Sequence, residues 1–524
     1  MEQGGIERVF GKKKTKPYGQ MPKQAGGKPE PLSPGIADNL RMLRDKLGNS
    51  SDFIIRTIRS DAMPGVEMAV AYIKGIVEED AIHRDVIEPI MSWAAPPGQS
   101  SWIETLRQRV VTTGASGRTA MVEDALNRLL DGQCLIFTNG FREAVTADTS
   151  GGEQRSVSEP NTQTVIRGPQ YSFTENISTN IGLLRRIIRT ADFRMRSYTI
   201  GRRTRTTVAV LYMHHIADPA VVQEMEQRIK EIDIDGILES NYIEEFISDQ
   251  TYTPFPTMMN TERPDTAASA MLDGQIIILV DGSPFCLIGP ATFFHFFRSA
   301  EDNYQRFDIS SFLRLLRYGA FVVSVLLPSL FIAITTFHQE MLPTPLLISL
   351  AAQREGIPFP ALVEALLMEL TFEVLREAGV RMPRAIGPAI SIVGALVLGQ
   401  SAVQAGLVSP AMVIVVSFTA ISNFVTPQIS MASASRLIRF TLMLLAGLLG
   451  IFGIMAGVLF LMIHMTGLRS FGVPYMAPFA PVYRQTWPDM LVRQPWWARV
   501  FRLVAVSGVN PHRQRGRKPR HQKG

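Results

Sequence analysis

Residues 440–463 read FTLMLLAGLLGIFGIMAGVLFLMI, a stretch without a single charged side chain. A helix of about 20 apolar residues crosses the hydrocarbon core of a bilayer. Gly450, Gly453 and Gly457 include the Gly-x-x-x-Gly spacing that lets two helices pack closely. The stretch therefore predicts a membrane-spanning helix, and with it a membrane protein.

Three other apolar stretches approach or reach spanning length, at 319–337, 386–405 and 408–426. Together the four predicted spans define an α-helical transmembrane domain at 318–465. The mean hydropathy of the whole chain is only +0.10, because residues 1–317 have the composition of a soluble head. We therefore expect a soluble N-terminal head followed by a multi-pass membrane domain.

Both ends of the chain are basic. Residues 1–35 are rich in Gly, Pro and Lys and are expected to be a disordered tail, and 466–524 form a second basic tail. No apolar signal-peptide core follows Met1, so the head is expected to stay in the cytoplasm. Such tails are also typical of nucleic-acid binding, but beside a membrane domain anionic lipids are the expected partner. Placing both tails in the cytoplasm requires an even number of spans, and four are expected.

The head contains an internal echo, that is, a short sequence that occurs twice in similar form. Residues 130–137 read LDGQCLIF and are followed by Asn139-Gly140, while residues 272–280 read LDGQIIILV and are followed by Asp281-Gly282. Asn-Gly and Asp-Gly between apolar runs indicate tight hairpin turns. The echo predicts two α/β lobes with a shared core unit, at 36–160 and 161–317. Chance recurrence of a common turn string is the alternative.

Motifs for enzymatic chemistry are absent from the sequence: there is no phosphate-binding loop, no dinucleotide fingerprint, no nucleophile elbow and no zinc-protease motif. Cys134 and Cys286 each lie in or beside a strand-like run, which favours buried thiols over a disulfide or a zinc site. We therefore expect neither an enzyme nor a bound cofactor or metal.

An amphipathic helix is predicted at 358–378, between the first two spans. At 100° per residue, its carboxylates Glu369, Glu373 and Glu377 fall on one side, with Leu366 and Leu370 flanking them. Ionisable groups at membrane depth are costly and face a partner, a cavity or water. The helix either lies on the membrane surface or lines a water-filled ion path.

Many ordered segments resemble the GerA spore germination family, A subunit, over about residues 40–480. In the head they are RSVSEP (155–160), RGPQ (167–170), NTERPD (260–265) and DGSPF (281–285). In the membrane domain and beyond they are PFP (358–360), EALLME (364–369), GQSAV (399–403) and SFGVPY (470–475).

The resemblance implies a multi-pass subunit of a nutrient germinant receptor in the spore inner membrane, with its head in the cytoplasm. It implies partnership with a permease-like B subunit and a lipoprotein C subunit. It also implies a homo-oligomeric, ligand-gated cation channel, whose pore the helix at 358–378 would line through the five residues named above. The alternative is a paralogous sporulation-stage spore ion channel or transporter component without its own nutrient, and a membrane-tethered signalling head without a pore is a third.

Overall fold

The computed structural model describes residues 30–59, 66–93, 102–151, 159–160, 162–382, 397–508 and 510–514. The predictions for residues 1–29, 386–396 and 515–524 lie outside these ranges. The chain divides into two compact units, and the main boundary between them lies between Ser150 and Gly151. The short segments Leu47–Asp52 and Lys74–Ile76 belong to the second unit.

The first unit contains a five-stranded antiparallel sheet in the order β1-β2-β4-β5-β3. Its inner strands carry buried aliphatic side chains, whereas the exposed side chains of β1 are polar. The strands are β1 Phe53–Arg59, β2 Glu67–Ile73, β3 Ser116–Thr119, β4 Gln133–Thr138 and β5 Ala144–Asp148. The helices are α1 Ile36–Lys46 and α2 Val122–Leu130, with short helical segments at Glu79–Ile82, His83–Ile87, Glu88–Ser92, Trp102–Thr105 and Leu106–Val110.

The second unit begins with another five-stranded antiparallel sheet, in the order β6-β7-β9-β10-β8. The strands are β6 Phe193–Ile200, β7 Thr206–Met213, β8 Met259–Thr261, β9 Ile276–Val280 and β10 Cys286–Gly289. The helices are α3 Ile177–Ile187, α4 Pro219–Glu231, α5 Ser240–Ile247 and α6 Pro264–Asp273, followed by 3₁₀ turns at Phe293–Phe297 and Ala300–Asn303. We call this sheet and its helices the second lobe.

The two sheets share one strand order, and the echoed segments occupy the same position in each. Helix α2 leads through Gly132 (φ +87°) into β4, and helix α6 leads through Gly274 (φ +99°) into β9. Glycine is needed at both positions because other residues rarely adopt this positive φ. The predicted internal repeat is confirmed.

Both cysteines are buried and free, as expected. Cys134 lies in β4 opposite Ala147, and Cys286 lies in β10 opposite Leu279. Burial raises the pKa of the Cys134 thiol to about 12, so this thiol stays protonated and unreactive at neutral pH.

The membrane region of the second unit is helical. Two helices, α7 and α11, are long and apolar enough to cross a membrane, and α10 is a shorter apolar helix. Residues 397–404 are helical as well, at the end of the predicted span 386–405. The helices are α7 Phe307–Thr336, α8 Thr344–Arg354, α9 Ala361–Arg381, α10 Pro410–Phe424 and α11 Ile429–Gly467, with a 3₁₀ turn at Gln339–Met341.

Helix α11 is not one straight helix, because its backbone breaks at Gly450 (φ 61°, ψ −141°). A Cβ placed on Gly457 would lie 2.5 Å from Leu442 Cδ2. Fifteen residues of continuous α-helix would separate two such positions by roughly 22 Å, so the chain folds back on itself at Gly450. The two arms pack across Gly453 and Gly457. Hydropathy identifies the apolar stretch 440–463 but does not show the reversal within it, and the number of spans stays a prediction.

Both ends of this helical hairpin lie beside the second lobe. Met431 and Met465 belong to the same buried cluster as the sheet side chains of that lobe, and the His464 ring lies 2.9 Å from Thr253 Oγ1. After Gly467 the chain forms strands β11 Arg469–Ser470 and β12 Val473–Pro474 and packs Tyr475 into that cluster. The second lobe and the segment after the last helix therefore lie at the same end of the bundle.

Candidate functional site

Helix α9 runs along the helical bundle from the end far from the second lobe back towards it. Near its start, Leu362 contacts Gly447, close to the hairpin turn of α11. Glu364 is fully buried there and accepts hydrogen bonds from the backbone N and Oγ of Ser409, just before α10. Near the other end, Arg376 borders a cavity shared with residues 162–165 of the second lobe. The predicted helix at 358–378 therefore packs against the bundle along one face, with Ala361, Glu364, Ala365 and Glu369 buried.

Two carboxylates of α9 bind two arginines of the first arm of α11. Arg439 Nη2 lies 2.9 Å from Glu369 Oε2 and 3.3 Å from Glu373 Oε1, and Arg436 Nη1 lies 2.8 Å from Glu373 Oε2. The side chains of Glu369 and Arg439 are each 1% exposed. Opposite charges so deeply buried stabilise one another only as a complete set. We call these four residues the charge cluster.

The charge cluster leaves some hydrogen-bonding capacity unused. Within the described part of the chain, Glu369 Oε1 and the Nε atoms of Arg436 and Arg439 are buried without a hydrogen-bond partner. A buried polar atom without a partner costs about 1–3 kcal/mol. A rearrangement that brings water or a further hydrogen-bond partner to these atoms would therefore stabilise the cluster.

A face of α9 next to the one that binds α11 has no covering partner among the described residues. Leu370 and Val374 are 62% and 61% exposed, and Val363 and Leu367 are also exposed. These side chains recur at spacings of three and four residues, and so they form one stripe along the helix. Glu377 continues the stripe towards the second lobe, where it pairs with Arg381 at 2.7 Å.

The structure separates the five residues predicted to line a pore. It places Leu370 and Glu377 on the exposed stripe. It turns Leu366 into the buried cluster of the bundle and Glu369 and Glu373 towards α11. In the described protomer Glu369 and Glu373 pair with arginines of α11, whereas Glu377 lies on the exposed stripe. That the five residues line a pore stays a prediction.

A polar cavity of about 340 Å³ lies at the end of α9 nearest the second lobe. Its lining includes the loop after α10 (Thr426 to Gln428) and Arg263 and Arg298 of the lobe. Such a cavity has room for many waters. The cavity lies where the bundle meets the second lobe.

Sequence reasoning missed the arginine partners and the buried Glu364. A signal for the partners exists: Arg436 and Arg439 lie three residues apart on one face of an apolar helix, and Glu369 and Glu373 lie four apart on another. Charges placed so regularly in apolar helices indicate pairing across a helix interface. For Glu364 and Ser409, 45 residues apart in sequence, we find no comparable signal.

Comparison with known proteins identifies the family. The family described as Bacillus/Clostridium GerA spore germination protein matches residues 41–503. The chain belongs to the GerA family.

Individual relatives of the GerA family match over almost the full chain. Spore germination protein KA of Bacillus subtilis (strain 168) is 46% identical over 93% of this chain and 89% of the relative. Uncharacterized membrane protein YfkQ of the same strain is 41% identical over 92% and 93%. Spore germination protein GerLA of Bacillus cereus is 36% identical over 90% and 95%.

A crystal structure has been solved of the N-terminal domain of the A subunit of the Bacillus megaterium spore germinant receptor GerK3. It matches 51% of this chain and 99% of its own, with 37% identity and a TM-score of 0.41.

Proposed function

We propose that this GerA-family protein is the A subunit of a nutrient germinant receptor and acts as an oligomeric, ligand-gated cation channel in the spore inner membrane. Family membership and the names of the relatives support a role in spore germination. The long apolar helices support a place in a membrane. The permease-like B subunit and the lipoprotein C subunit that the family resemblance implies are its proposed partners.

In the proposed topology the chain crosses the membrane six times and keeps both ends on the cytoplasmic side. Helix α7 leads away from the second lobe and α9 leads back. The span expected from hydropathy at 386–405, of which residues 386–396 lie outside the described ranges, is the next proposed outward crossing, and α10 returns. The two arms of α11 then form the last outward and inward crossings. Two crossings are added to the four expected from hydropathy. The return of α9 towards the second lobe supports one of them, and the reversal at Gly450 with the return of His464 to Thr253 supports the other.

Helix α9 lines the proposed ion path with its exposed stripe. The observation that carries this proposal is the distribution of acidic side chains. Among the described helices from α7 to α11, α9 holds all of them except Asp308 at the start of α7. Two of the four bind α11 and so fix which face of α9 remains open. In a symmetric oligomer, Leu370 becomes an apolar ring that closes the path by dewetting, and Glu377 becomes a ring of charge.

Replacing Leu370 tests this proposal. Leu370→Ala widens the apolar ring, so we expect purified protein in potassium-loaded vesicles to leak K⁺ without any germinant. Leu437→Ala is the matched control, because Leu437 on α11 is 63% exposed, close to the 62% of Leu370. Equal leak from the two variants, at equal protein incorporation, would show that α9 does not form the closed gate.

A further inference from the structure

A loop of the second lobe projects beside the end of α11. It covers residues 248–254 and follows α5. Near its start, Asp249 pairs with Arg228 of α4. Near its end, Thr253 Oγ1 lies 2.9 Å from the His464 ring of α11. These contacts hold the loop at both ends, and the side chains between them are exposed: Gln250, Thr251 and Tyr252.

Tyr252 is 98% exposed although the residues around it are held in place. Phe255, three positions later, is 3% exposed, and its ring centroid lies 6.3 Å from that of His464. The anchored backbone therefore presents the Tyr252 ring outwards. A single exposed aromatic ring is common on protein surfaces, so its meaning depends on its surroundings.

Two more exposed aromatic side chains lie on α5, which ends where the loop begins. Tyr242 and Phe246 are 38% and 51% exposed, and they lie one helical turn apart on one face. The end of α5 lies beside the chain that follows α11, because Arg228 donates a hydrogen bond to the last carbonyl of α5 and also lies over the Phe471 ring. We call three residues the aromatic edge: Tyr242, Phe246 and Tyr252.

The second arm of α11 carries exposed apolar side chains up to this point. Phe460 and Ile463 are 69% and 63% exposed. Tyr252 and Ile463 each precede one member of the Thr253–His464 contact, so the exposed side chains of the lobe and of the helix adjoin. The aromatic edge therefore begins where the exposed apolar side of α11 ends.

The charge pattern of α11 indicates the level of this junction. Residues 440–463 carry no charged side chain, and the first arginine after them is the exposed Arg469. An uncharged apolar stretch followed by a cation is typical of the passage from hydrocarbon to lipid headgroups. His464 lies between the two, about 4.5 Å before the end of the helix at Gly467. Tyr252, beside His464, lies at the same level.

We propose that the aromatic edge of the second lobe contacts the membrane, and that its partner is lipid at the level of the headgroups. A tyrosine ring suits this level because its body is apolar and its hydroxyl is polar. The contact orients the second lobe on the membrane surface. The proposal rests on the proposed place of α11 in a membrane, but not on ion conduction by α9.

The size of the aromatic edge favours lipid over a second copy of the chain. An aromatic side chain buries at most about 150–250 Å². Three of them, two already partly buried, therefore offer less than the roughly 800 Å² per partner of a stable protein interface. A lipid contact has no such minimum, because α11 already holds the lobe at the bilayer.

Fluorescent labels on single cysteines test the contact in the full-length protein. The two native cysteines are buried and should not react. Four variants are labelled with bimane and reconstituted in phosphatidylcholine vesicles: Tyr252→Cys, Thr251→Cys, Ile463→Cys and Leu238→Cys. Quenching by a nitroxide on the upper acyl chain is compared with quenching by iodide, present on both sides of the membrane.

The four positions separate the contact from the placement of α11. Thr251→Cys keeps Tyr252 in place, and Ile463→Cys reports on α11 itself. Leu238 is the control, because it is 69% exposed but lies at the other end of α5, beside the turn between β6 and β7. We expect the nitroxide to quench most of the fluorescence at positions 251, 252 and 463. At position 238 we expect quenching by iodide instead.

Three results would overturn the proposal. If the nitroxide quenches position 463 while positions 251 and 252 behave like position 238, the lobe does not touch lipid and the placement of α11 stands. If positions 251 and 252 are protected from both quenchers, a protein covers the aromatic edge. If the nitroxide quenches none of the four, the placement of α11 in the membrane fails and the proposal fails with it.

Discussion

At the scale of single residues, the acidic side chains of α9 were visible in the sequence, but their roles were not. A helical projection groups Glu369, Glu373 and Glu377 on one side. It cannot show that Arg439 lies 2.9 Å from the first of them, because that contact joins residues 70 positions apart. The partners decide the role, since a paired carboxylate holds two helices together whereas an exposed one faces water or another subunit.

A double-mutant cycle on the charge cluster is our prediction at this scale. In Glu369→Gln the buried Arg439 keeps only Glu373 as an ionic partner, and Glu373 also pairs with Arg436. We therefore expect the free energy of unfolding to fall by about 3–5 kcal/mol. Arg439→Gln should cost a similar amount. The double variant Glu369→Gln/Arg439→Gln should cost less than the sum of the two, with a coupling of about 1–3 kcal/mol, measured by thermal unfolding in detergent.

Glu377→Gln is the control for this cycle. Its side chain is 65% exposed and pairs only with Arg381 among the described residues, and exposed pairs contribute about 0–1 kcal/mol. Strictly additive losses at positions 369 and 439 would contradict the charge cluster as one unit.

At the scale of elements, hydropathy located apolar segments but not their path. Helix α9 was predicted at 358–378 and is found at Ala361–Arg381. The prediction is close because the prolines of Pro358-Phe-Pro360 mark the start of a helix in the sequence. Hydropathy did not predict the reversal in α11, because Gly450 is one of several glycines in an apolar run. Only the contacts of Gly453 and Gly457 with the first arm distinguish the residue at which the chain turns.

Substitution of Gly450 tests the hairpin. An alanine there must adopt a φ of 61° and place its Cβ 2.7 Å from His338 Cε1. We expect Gly450→Ala to lower stability by roughly 1–3 kcal/mol, the usual range for a strained backbone. Gly319→Ala in α7 is the control, because its Cβ meets nothing within 4 Å, and it should be neutral or stabilising. Equal melting temperatures for the two variants would argue for a straight α11.

At the scale of the whole molecule, the repeated turn string predicted two sheets of the same design, and the two sheets do share one strand order. The short repeated sequence predicts the shared sheet design because its glycine turns fix the path of the chain between neighbouring elements. The boundary at 160/161 stays a prediction, since the compact units change over ten residues earlier. The return of the C-terminal segment to the second lobe depends on contacts such as that of Thr253 with His464, which lie far apart in sequence.

The central claim is that the exposed stripe of α9 borders water in the assembled channel. The most direct measurement is the reaction of Leu370→Cys with a membrane-impermeant thiol reagent, compared with Leu437→Cys, in spores or in reconstituted receptor. The two native cysteines, Cys134 and Cys286, should not react with the reagent because both are 0% exposed. The two leucines are equally exposed in the protomer, so only their surroundings in the assembly distinguish them. We predict that Leu370→Cys is modified, faster once germinant opens the path, while Leu437→Cys, facing lipid, is not. Equal protection of both cysteines, with and without germinant, would contradict the claim.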